Sequence, residues 1–196
     1  MSKNIISITL ITVIAGLLLG LTYTVTKKPI EKSKISAVNN AYKKIIKEAD
    51  EFKNDNSFDS SKAKNILKDG GIEKDIITSI VEAYSKGSKI GYIINVTSKE
   101  GFGGDIELSV GILNDGSVSS IEILSINETA GLGMKATEED FKGQFNNKKV
   151  ENFKYTKTDI SLEGEINAIS GATVTTNAVT NAVNSALYYF NKCLAE

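Results

Sequence analysis

The sequence predicts an α+β fold: an antiparallel sheet meander with flanking helices, preceded by one N-terminal transmembrane helix. Three patterns support this prediction. Residues 77–126 contain runs of alternating apolar and polar side chains, separated by turn residues. Residues 173–192 have apolar side chains at helical spacing, and residues 5–25 form an uncharged apolar run. We expect the helices to pack against the sheet around one core.

The N-terminal run reads "IISITLITVIAGLLLGLTYTV", about the ~20 residues that a helix needs to cross a bilayer. The alternative is a cleaved signal peptide, but the run exceeds the ~7–15 apolar residues of a signal core, and no A-x-A-like site closes it. The predicted division is a short tail, a transmembrane helix, a linker and one domain, over residues 1–4, 5–26, 27–38 and 39–196. Lysines are more frequent after the run than before it, so the positive-inside rule alone places the domain in the cytoplasm.

The first part of the domain is predicted to be helical and then polar. Residues 35–48 carry one apolar helical stripe, formed by Ile35, Val38, Tyr42, Ile45 and Ile46. Residues 50–75 are polar, and we expect a loop there with a short helix near 62–68. This stretch therefore separates a first helix from the sheet.

The meander is predicted from four strand-like runs in residues 77–126. In "DIELSVGIL" the apolar side chains alternate, so Ile106, Leu108, Val110 and Ile112 share one face. The stretch 114–116 reads Asn-Asp-Gly and predicts a turn to the next strand. After the meander we expect a short helix over 137–145 capped by Thr137, and a strand over 155–162.

The last element is predicted to be an amphipathic helix from about Thr173 to Lys192. Its buried stripe is expected to consist of apolar residues at spacings of three and four: Ala178, Val179, Ala182, Val183, Ala186, Leu187 and Phe190.

The composition excludes several classes of function. The formal net charge is -1, which argues against a nucleic-acid-binding protein with a basic face. The sequence has no histidine and one cysteine, Cys193. Within this chain a four-cysteine iron–sulfur or zinc site, a His-ligated haem and a Ser-His-Asp or Cys-His catalytic pair are therefore impossible. We predict no metal site and no catalytic residue, and any redox chemistry would need an organic cofactor.

Two glycine-rich stretches can carry chemistry. They are "GFGG" at 101–104 and "NETAGLGMK" at 127–135. Glycine allows close backbone approach to a ligand, clustered amides can hold an anion, and Lys135 could neutralise a phosphate or a reduced flavin. Taken alone, such loops are usually ordinary turns.

A third stretch, "SGATVTT" at 170–176, places four hydroxyl residues at the predicted start of the last helix: Ser170, Thr173, Thr175 and Thr176. A helix start presents free amides and the positive end of the helix dipole, and it therefore favours a phosphate. The alternative is one capping hydroxyl with surplus neighbours. Thr175 and Thr176 are both candidates for the cap or for a phosphate hydrogen bond.

"ETAGLG" and "SGATVTT", in this order and about forty residues apart, resemble the FMN-binding domain of the G subunit of the Rnf electron-transport complex. The C subunit of the sodium-pumping NADH:quinone reductase has the same domain. The resemblance covers most of the chain. It implies FMN bound covalently through a phosphoester to Thr173. It also implies a flavin lined by Glu128, Thr129, Leu132, Gly133 and Lys135, and a phosphate turn shaped by Ser170, Gly171 and Ala172, with Thr176 as a further contact.

The function implied by this resemblance is that of an electron-carrying flavoprotein. The complex transfers electrons between ferredoxin and NAD⁺ and moves Na⁺ or H⁺; the chain would relay electrons through FMN, with other subunits and a flavin transferase as partners. The resemblance places the domain on the extracytoplasmic side of the cytoplasmic membrane, against the lysine count. Two alternatives remain: the FMN-carrying member of a sodium-pumping quinone reductase or another extracytoplasmic flavin reductase, and a cofactor-free, membrane-tethered binding module.

Overall fold

The computed structural model describes residues 12–13, 15–16, 42–158, 160 and 162–195. Contacts divide the chain into two compact units, Met1–Asn40 and Ala41–Glu196. The described residues of the first unit are helical. Within the described part of the chain, no helix has both the length and the apolar character to span a bilayer. Apart from residues 12–13 and 15–16, the predicted transmembrane helix 5–26 lies outside the described residues, as do the predicted linker and the first half of the predicted helix 35–48; residues 42–45 are helical.

The second unit is built on a five-stranded antiparallel sheet whose strand order follows the chain. This confirms the predicted α+β class and the antiparallel meander. The strands are β1 Glu51–Asn54, β2 Asp75–Ser85, β3 Ser88–Ser98, β4 Ile106–Leu113 and β5 Val118–Ser125.

Strand β1 corrects the prediction of a loop at the start of 50–75. It pairs with Val81–Tyr84 of β2 at the edge of the sheet, and its side chains are mostly exposed. Backbone hydrogen bonds hold an edge strand, and an exposed edge needs no apolar pattern. The polar sequence therefore conceals it.

The hairpins follow the turn chemistry of the sequence. Lys86 and Gly87, which join β2 to β3, both have positive φ, of 50° and 80°. This is the geometry of a two-residue turn that matches the strand twist. The turn after β4 has Gly116 at φ 85°, as its sequence predicts. On β4 the predicted face is buried, because all four of its apolar side chains are inaccessible to solvent.

In the described residues after 45, the sheet is flanked by the helices α1 Ser60–Asp69, α2 Glu139–Lys142 and α3 Thr173–Cys193. Helix α1 is capped by the Asp59 carboxylate, which accepts from the amides of Ser61 and Lys62. Helix α3 confirms the C-terminal prediction, and its whole predicted stripe is buried. It packs mainly on β3 and β4.

The predicted helix 137–145 is wrong in its extent and its cap. It is broken into α2 between two 3-10 turns, Gly133–Thr137 and Gly143–Phe145. Thr137 ends the first turn and donates to the Met134 carbonyl at 2.9 Å instead of capping α2. Gly143 lowers the stability of a continuous helix at this point, and the short 3-10 turns provide hydrogen bonds for the backbone groups at the ends of α2.

The predicted strand 155–162 is shorter than expected. Strand β6 covers Lys154–Thr156 and pairs in parallel with β7, Glu165–Asn167. The Ala168 amide extends this pairing by donating to the Thr156 carbonyl at 2.8 Å. The turn before α3 therefore follows directly after this small sheet.

Candidate functional site

Two glycine-rich loops are joined at one end of the sheet. The Gly103 amide donates to Oε1 of Glu128 at 3.1 Å, and the Asn127 side-chain amide donates to the Gly103 carbonyl at 3.3 Å. A Cβ on Gly103 would lie 1.9 Å from the Asn127 carbonyl oxygen. Only glycine therefore allows the two backbones to approach this closely.

Glu128 also joins the second loop to α3. Its Oε2 accepts a hydrogen bond from the Thr175 hydroxyl at 3.0 Å. Gly133 is buried between these groups, and a Cβ there would lie 2.6 Å from Thr175 Oγ1 and 2.7 Å from Glu128 Cβ. The carbonyl of the exposed Thr129 closes the loop by accepting from Leu132 and Met134 at 3.1 and 3.2 Å. The carboxylate of Glu128 thus connects its own loop with the first glycine-rich loop and with α3.

The turn before α3 is held from inside by Thr176. Its hydroxyl accepts from the Ile169 amide and donates to the Ala172 carbonyl, both at 3.0 Å, and its side chain is fully buried. Gly171 takes a φ of 76°, which favours glycine. A Cβ on Gly171 would lie 3.0 Å from a Leu132 methyl, so the second loop also packs against this turn.

The structure assigns the surplus hydroxyls to different tasks. Ala172 is the N-cap residue of α3, and no side chain caps the helix. Thr175 and Thr176 point inward to the partners described above. Thr173 is the first helical residue and is half-buried, and its hydroxyl bonds to no described residue. The predicted phosphate contact of Thr176 stays a prediction. The Thr176 hydroxyl already forms two hydrogen bonds within the protein.

Thr173 lies in an open cavity of about 510 Å³. The other residues that line it come from four segments: Lys74, Lys99, Glu100, Tyr155, Val174 and Asn177. Lys99 is paired with Asp105, and Lys74 with Glu100 at 3.2 Å. Two lysines and one carboxylate, that of Glu100, therefore share this space with the Thr173 hydroxyl.

Lys135 lies on another side of the turn. It lines a separate cavity of about 240 Å³ together with Ser170, which is exposed. The structure thus brings together Glu128, Leu132, Gly133 and the turn, but it places Lys135 and Thr173 in different openings. The predicted role of Lys135 beside the flavin stays a prediction.

Large apolar side chains are exposed on the three joined segments. Phe102 is 75% exposed, Leu132 42% and Val174 50%. Exposed apolar side chains grouped around one turn are typical of a binding surface. Sequence reasoning identified Leu132 and missed the other two, although Phe102 stands inside a glycine triplet, which is a signal for a presented side chain.

The start of α3 provides the electrostatics of an anion site. The amides of the first helical turn have no intrahelical acceptor, and they lie at the positive end of the dipole of a helix of 21 residues. The first i to i−4 bond of the helix runs from the Thr176 amide to the Ala172 carbonyl at 3.0 Å. A phosphate on the Thr173 oxygen would lie at this end of the helix, so the residues present fit a phosphate ester.

Comparison with known proteins gives the family. Residues 101–188 match the family of the FMN-binding domain. The chain is 32% identical over 182 residues to the G subunit of the proton-translocating ferredoxin:NAD(+) oxidoreductase complex of Clostridium ljungdahlii, covering 92% of this chain and 86% of that protein. The chain belongs to the family of this G subunit. Two other members are the G subunit of the Na(+)-translocating complex of Acetobacterium woodii, at 31% identity with 92% and 86% covered, and that of the ion-translocating oxidoreductase complex of Methanosarcina acetivorans, at 30% with 96% and 93% covered.

Solved structures share the fold of this member of the G-subunit family. The C subunit of the Na(+)-translocating NADH-quinone reductase from Parabacteroides distasonis aligns with a TM-score of 0.53 at 20% identity, over 76% of this chain and 79% of that one. Shewanella oneidensis NqrC aligns at 0.50 and 17%, over 58% and 57%. The match to the FMN-binding domain begins at the first glycine-rich loop and includes every predicted site residue. The family resemblance stated from the motifs is confirmed.

Proposed function

We propose that this chain is the electron-carrying flavoprotein subunit of an Rnf-type, ion-translocating ferredoxin:NAD⁺ oxidoreductase complex, with FMN attached through a phosphoester to Thr173. The observation that carries the attachment site is the contrast among the turn threonines. Thr175 and Thr176 have protein partners, whereas the Thr173 hydroxyl bonds to no described residue and lines an open cavity.

Each part of the site has a task in this proposal. The Thr173 oxygen holds the phosphate, and the free amides at the start of α3 stabilise its negative charge. Gly171 shapes the turn, and Glu128 fixes the neighbouring loop by its bonds to Gly103 and Thr175. Phe102 and Leu132 offer an apolar surface to an aromatic ring. When bound, FMN supplies reversible electron transfer.

The chain's own residues fit a carrier better than a site of ferredoxin or NAD⁺ chemistry. It lacks the cysteines for an iron–sulfur cluster, and its sequence holds no nicotinamide-binding glycine fingerprint. We propose that other subunits of the complex exchange electrons with this FMN, and that a flavin transferase forms the ester.

The attachment is tested by expressing the full chain with a flavin transferase and examining the denatured protein for flavin fluorescence and mass. We expect a labelled wild-type band, a labelled Thr173→Ser band and an unlabelled Thr173→Val band. Thr78→Val is the matched control, because Thr78 is exposed on β2, away from the turn. A dark wild-type band beside a labelled known substrate would contradict the proposal and favour a cofactor-free binding module.

We further propose that residues 5–25 anchor the chain in the cytoplasmic membrane with the domain outside. Cys193 offers a direct test, since it is the single cysteine of the sequence and is exposed. A membrane-impermeant maleimide should label Cys193 in intact cells, and Cys193→Ser should remove the label. Labelling only after the membrane is opened would place the domain in the cytoplasm.

The choice between complexes is tested by purification from the native membrane. We expect the chain to be isolated with subunits that oxidise ferredoxin. Isolation with a quinone reductase instead would support the second candidate, for which the fold shared with the quinone reductase structures is the supporting observation.

A further inference from the structure

A second cavity, of about 720 Å³, lies along α3 next to the Thr173 opening. Lys74 and Glu100 line both spaces. The second cavity also contains Asp75, Asn181 and Ser185. None of these three residues has a task in the proposed attachment of FMN.

Asp75 is an acid in an unusual position. The residue is 4% exposed, and its Oδ1 is buried without a hydrogen-bond partner in the described structure. Lys74, next to it in the chain, is paired with Glu100 at 3.2 Å. A carboxylate without a paired cation is costly when it is buried, because charge is stabilised poorly away from water.

The geometry around Ser185 indicates which form Asp75 takes. The Ser185 oxygen lies 2.6 Å from Asp75 Oδ2 and 2.8 Å from the Asn181 carbonyl oxygen. The hydroxyl has one hydrogen, and the Asn181 carbonyl can only accept it. Both contacts are hydrogen bonds if Asp75 is a neutral acid that donates to Ser185 while Ser185 donates to Asn181.

The electrostatic surroundings agree with a neutral acid. Burial raises the pKa of Asp75 above its ordinary value, and the negative charge of Glu100 raises it further, while the hydroxyls of Ser185 and Ser98 act in the opposite direction. The titratable and charged groups that line the cavity come from the segment before β2, the segment after β3, the region where β6 begins and helix α3: Glu73, Lys74, Glu100, Glu151, Lys154, Tyr188 and Lys192.

A polar stripe connects Asp75 to the attachment site. Thr173, Asn177, Asn181 and Ser185 follow one another at intervals of four residues on α3, so each lies beside the next in a stripe that winds gradually around the helix. The Asn181 side-chain amide donates to Glu100 at 2.6 Å, and Glu100 reaches the Thr173 opening. Thr173 and Ser185 are twelve residues apart on α3, which corresponds to about 18 Å along a helix.

We propose that Asp75 is a proton-binding site linked to the charge at Thr173, so that its proton affinity rises when negative charge is added there. The proposal rests on the proposed function, because the phosphoester and the electron carried by FMN are the physiological sources of that charge. At a pH where part of the Asp75 population is ionised, an increase in that charge makes a further fraction of the Asp75 carboxylates take a proton from solvent and become the acid. The electron comes from the donor subunit, and the one new bond is the O–H bond of Asp75.

The linkage is measured without flavin by comparing two variants of the full chain in detergent, Thr173→Glu and Thr173→Gln. They match in size and differ by one charge. Side-chain carboxyl carbons of labelled aspartates are titrated by NMR, with Asp75→Asn to identify the signal. If the rise of about 18 Å between Thr173 and Ser185 is taken as the separation, one charge should raise the pKa of Asp75 by about 0.2 unit with water-like screening and about 0.7 unit with protein-like screening in Thr173→Glu.

Asp69 is the control, because it is exposed at the end of α1 and its carboxyl signal should be the same in both variants. An Asp75 signal with an ordinary or lowered pKa would overturn the proposal, as would equal values in the two variants. Neither outcome would affect the attachment of FMN, which fluorescence reports independently. Conversely, a chain that never accepts flavin would still show the charge linkage.

Stability gives a second measurement. A raised pKa means that the folded protein holds the proton more tightly than the unfolded chain. The contribution of Asp75 to stability is therefore present at low pH and is lost as pH rises from its ordinary value to the raised one. In Asp75→Asn this loss should disappear, whereas in Asp69→Asn it should remain. An unchanged pH dependence in Asp75→Asn would also contradict the proposal.

Discussion

The first turn of α3 has an inner and an outer side, and the same residue type has different surroundings on each. Thr176 on the inner side is fully buried and joins the Ile169 amide to the Ala172 carbonyl. Thr173 on the outer side is half-buried and lines a cavity. A threonine hydroxyl of this turn is therefore available for chemistry only where no described residue bonds to it.

The largest effect should come from the outer side. Thr173→Val should remove all covalently bound flavin, because no oxygen remains to form the ester. Its free energy of unfolding should stay within about 0.5 kcal/mol of wild type, as for a substitution without lost partners. Mass spectrometry and denaturant unfolding of the same preparation measure both quantities. A larger loss of stability would place Thr173 among the structural threonines.

The contact between the second glycine-rich loop and α3 should be the next most sensitive. Gly133→Ala places a Cβ within 2.6 Å of Thr175 Oγ1 and 2.7 Å of Glu128 Cβ, so these groups must shift. Overpacking of this kind costs about 3 kcal/mol, which chemical denaturation can measure. Gly143→Ala is the control, since the nearest atom to its new Cβ is 3.9 Å away. Similar losses in both variants would mean that the effect is not steric.

A substitution on the inner side of the turn should lower the free energy of unfolding. Thr176→Val keeps the shape of the side chain but removes the acceptor of the buried Ile169 amide, which should cost about 2 kcal/mol. Thr180→Val is the matched control: its buried hydroxyl donates to the Thr176 carbonyl at 2.7 Å, and that carbonyl also accepts within the helix. Thermal or denaturant unfolding should rank Thr176→Val well below Thr180→Val, and equal stabilities would remove the assigned role of Thr176.

The smallest effects should distinguish the two openings beside the turn. Lys99 lines the opening that holds Thr173, and Lys135 lines the other one. Removal of a cation near the flavin destabilises the reduced anion and should lower the midpoint potential by about 20 to 40 mV. We expect the larger shift in Lys99→Gln. A larger shift in Lys135→Gln would instead place the flavin ring as the sequence motif predicts.

The local elements were determined by the sequence alone. Alternation on β4, the turn residues at 86–87 and 114–116, and the apolar stripe of α3 act between neighbours in the chain, so a one-dimensional pattern records them. The turn before α3 is equally local, because the start of the helix and the preceding glycine lie in one short segment. Strand β1 leaves no such pattern, since its stability comes from pairing with β2.

The tertiary structure alone decided which groups meet across the chain. Thr175 reaches Glu128 over 47 residues, and Ser185 reaches Asp75 over 110 residues. Such contacts depend on how the sheet and α3 pack, and no spacing in the sequence encodes them. The same packing engaged Thr175 and Thr176 and left the Thr173 hydroxyl facing a cavity, because a hydroxyl at a helix start forms a bond only where another segment supplies a partner.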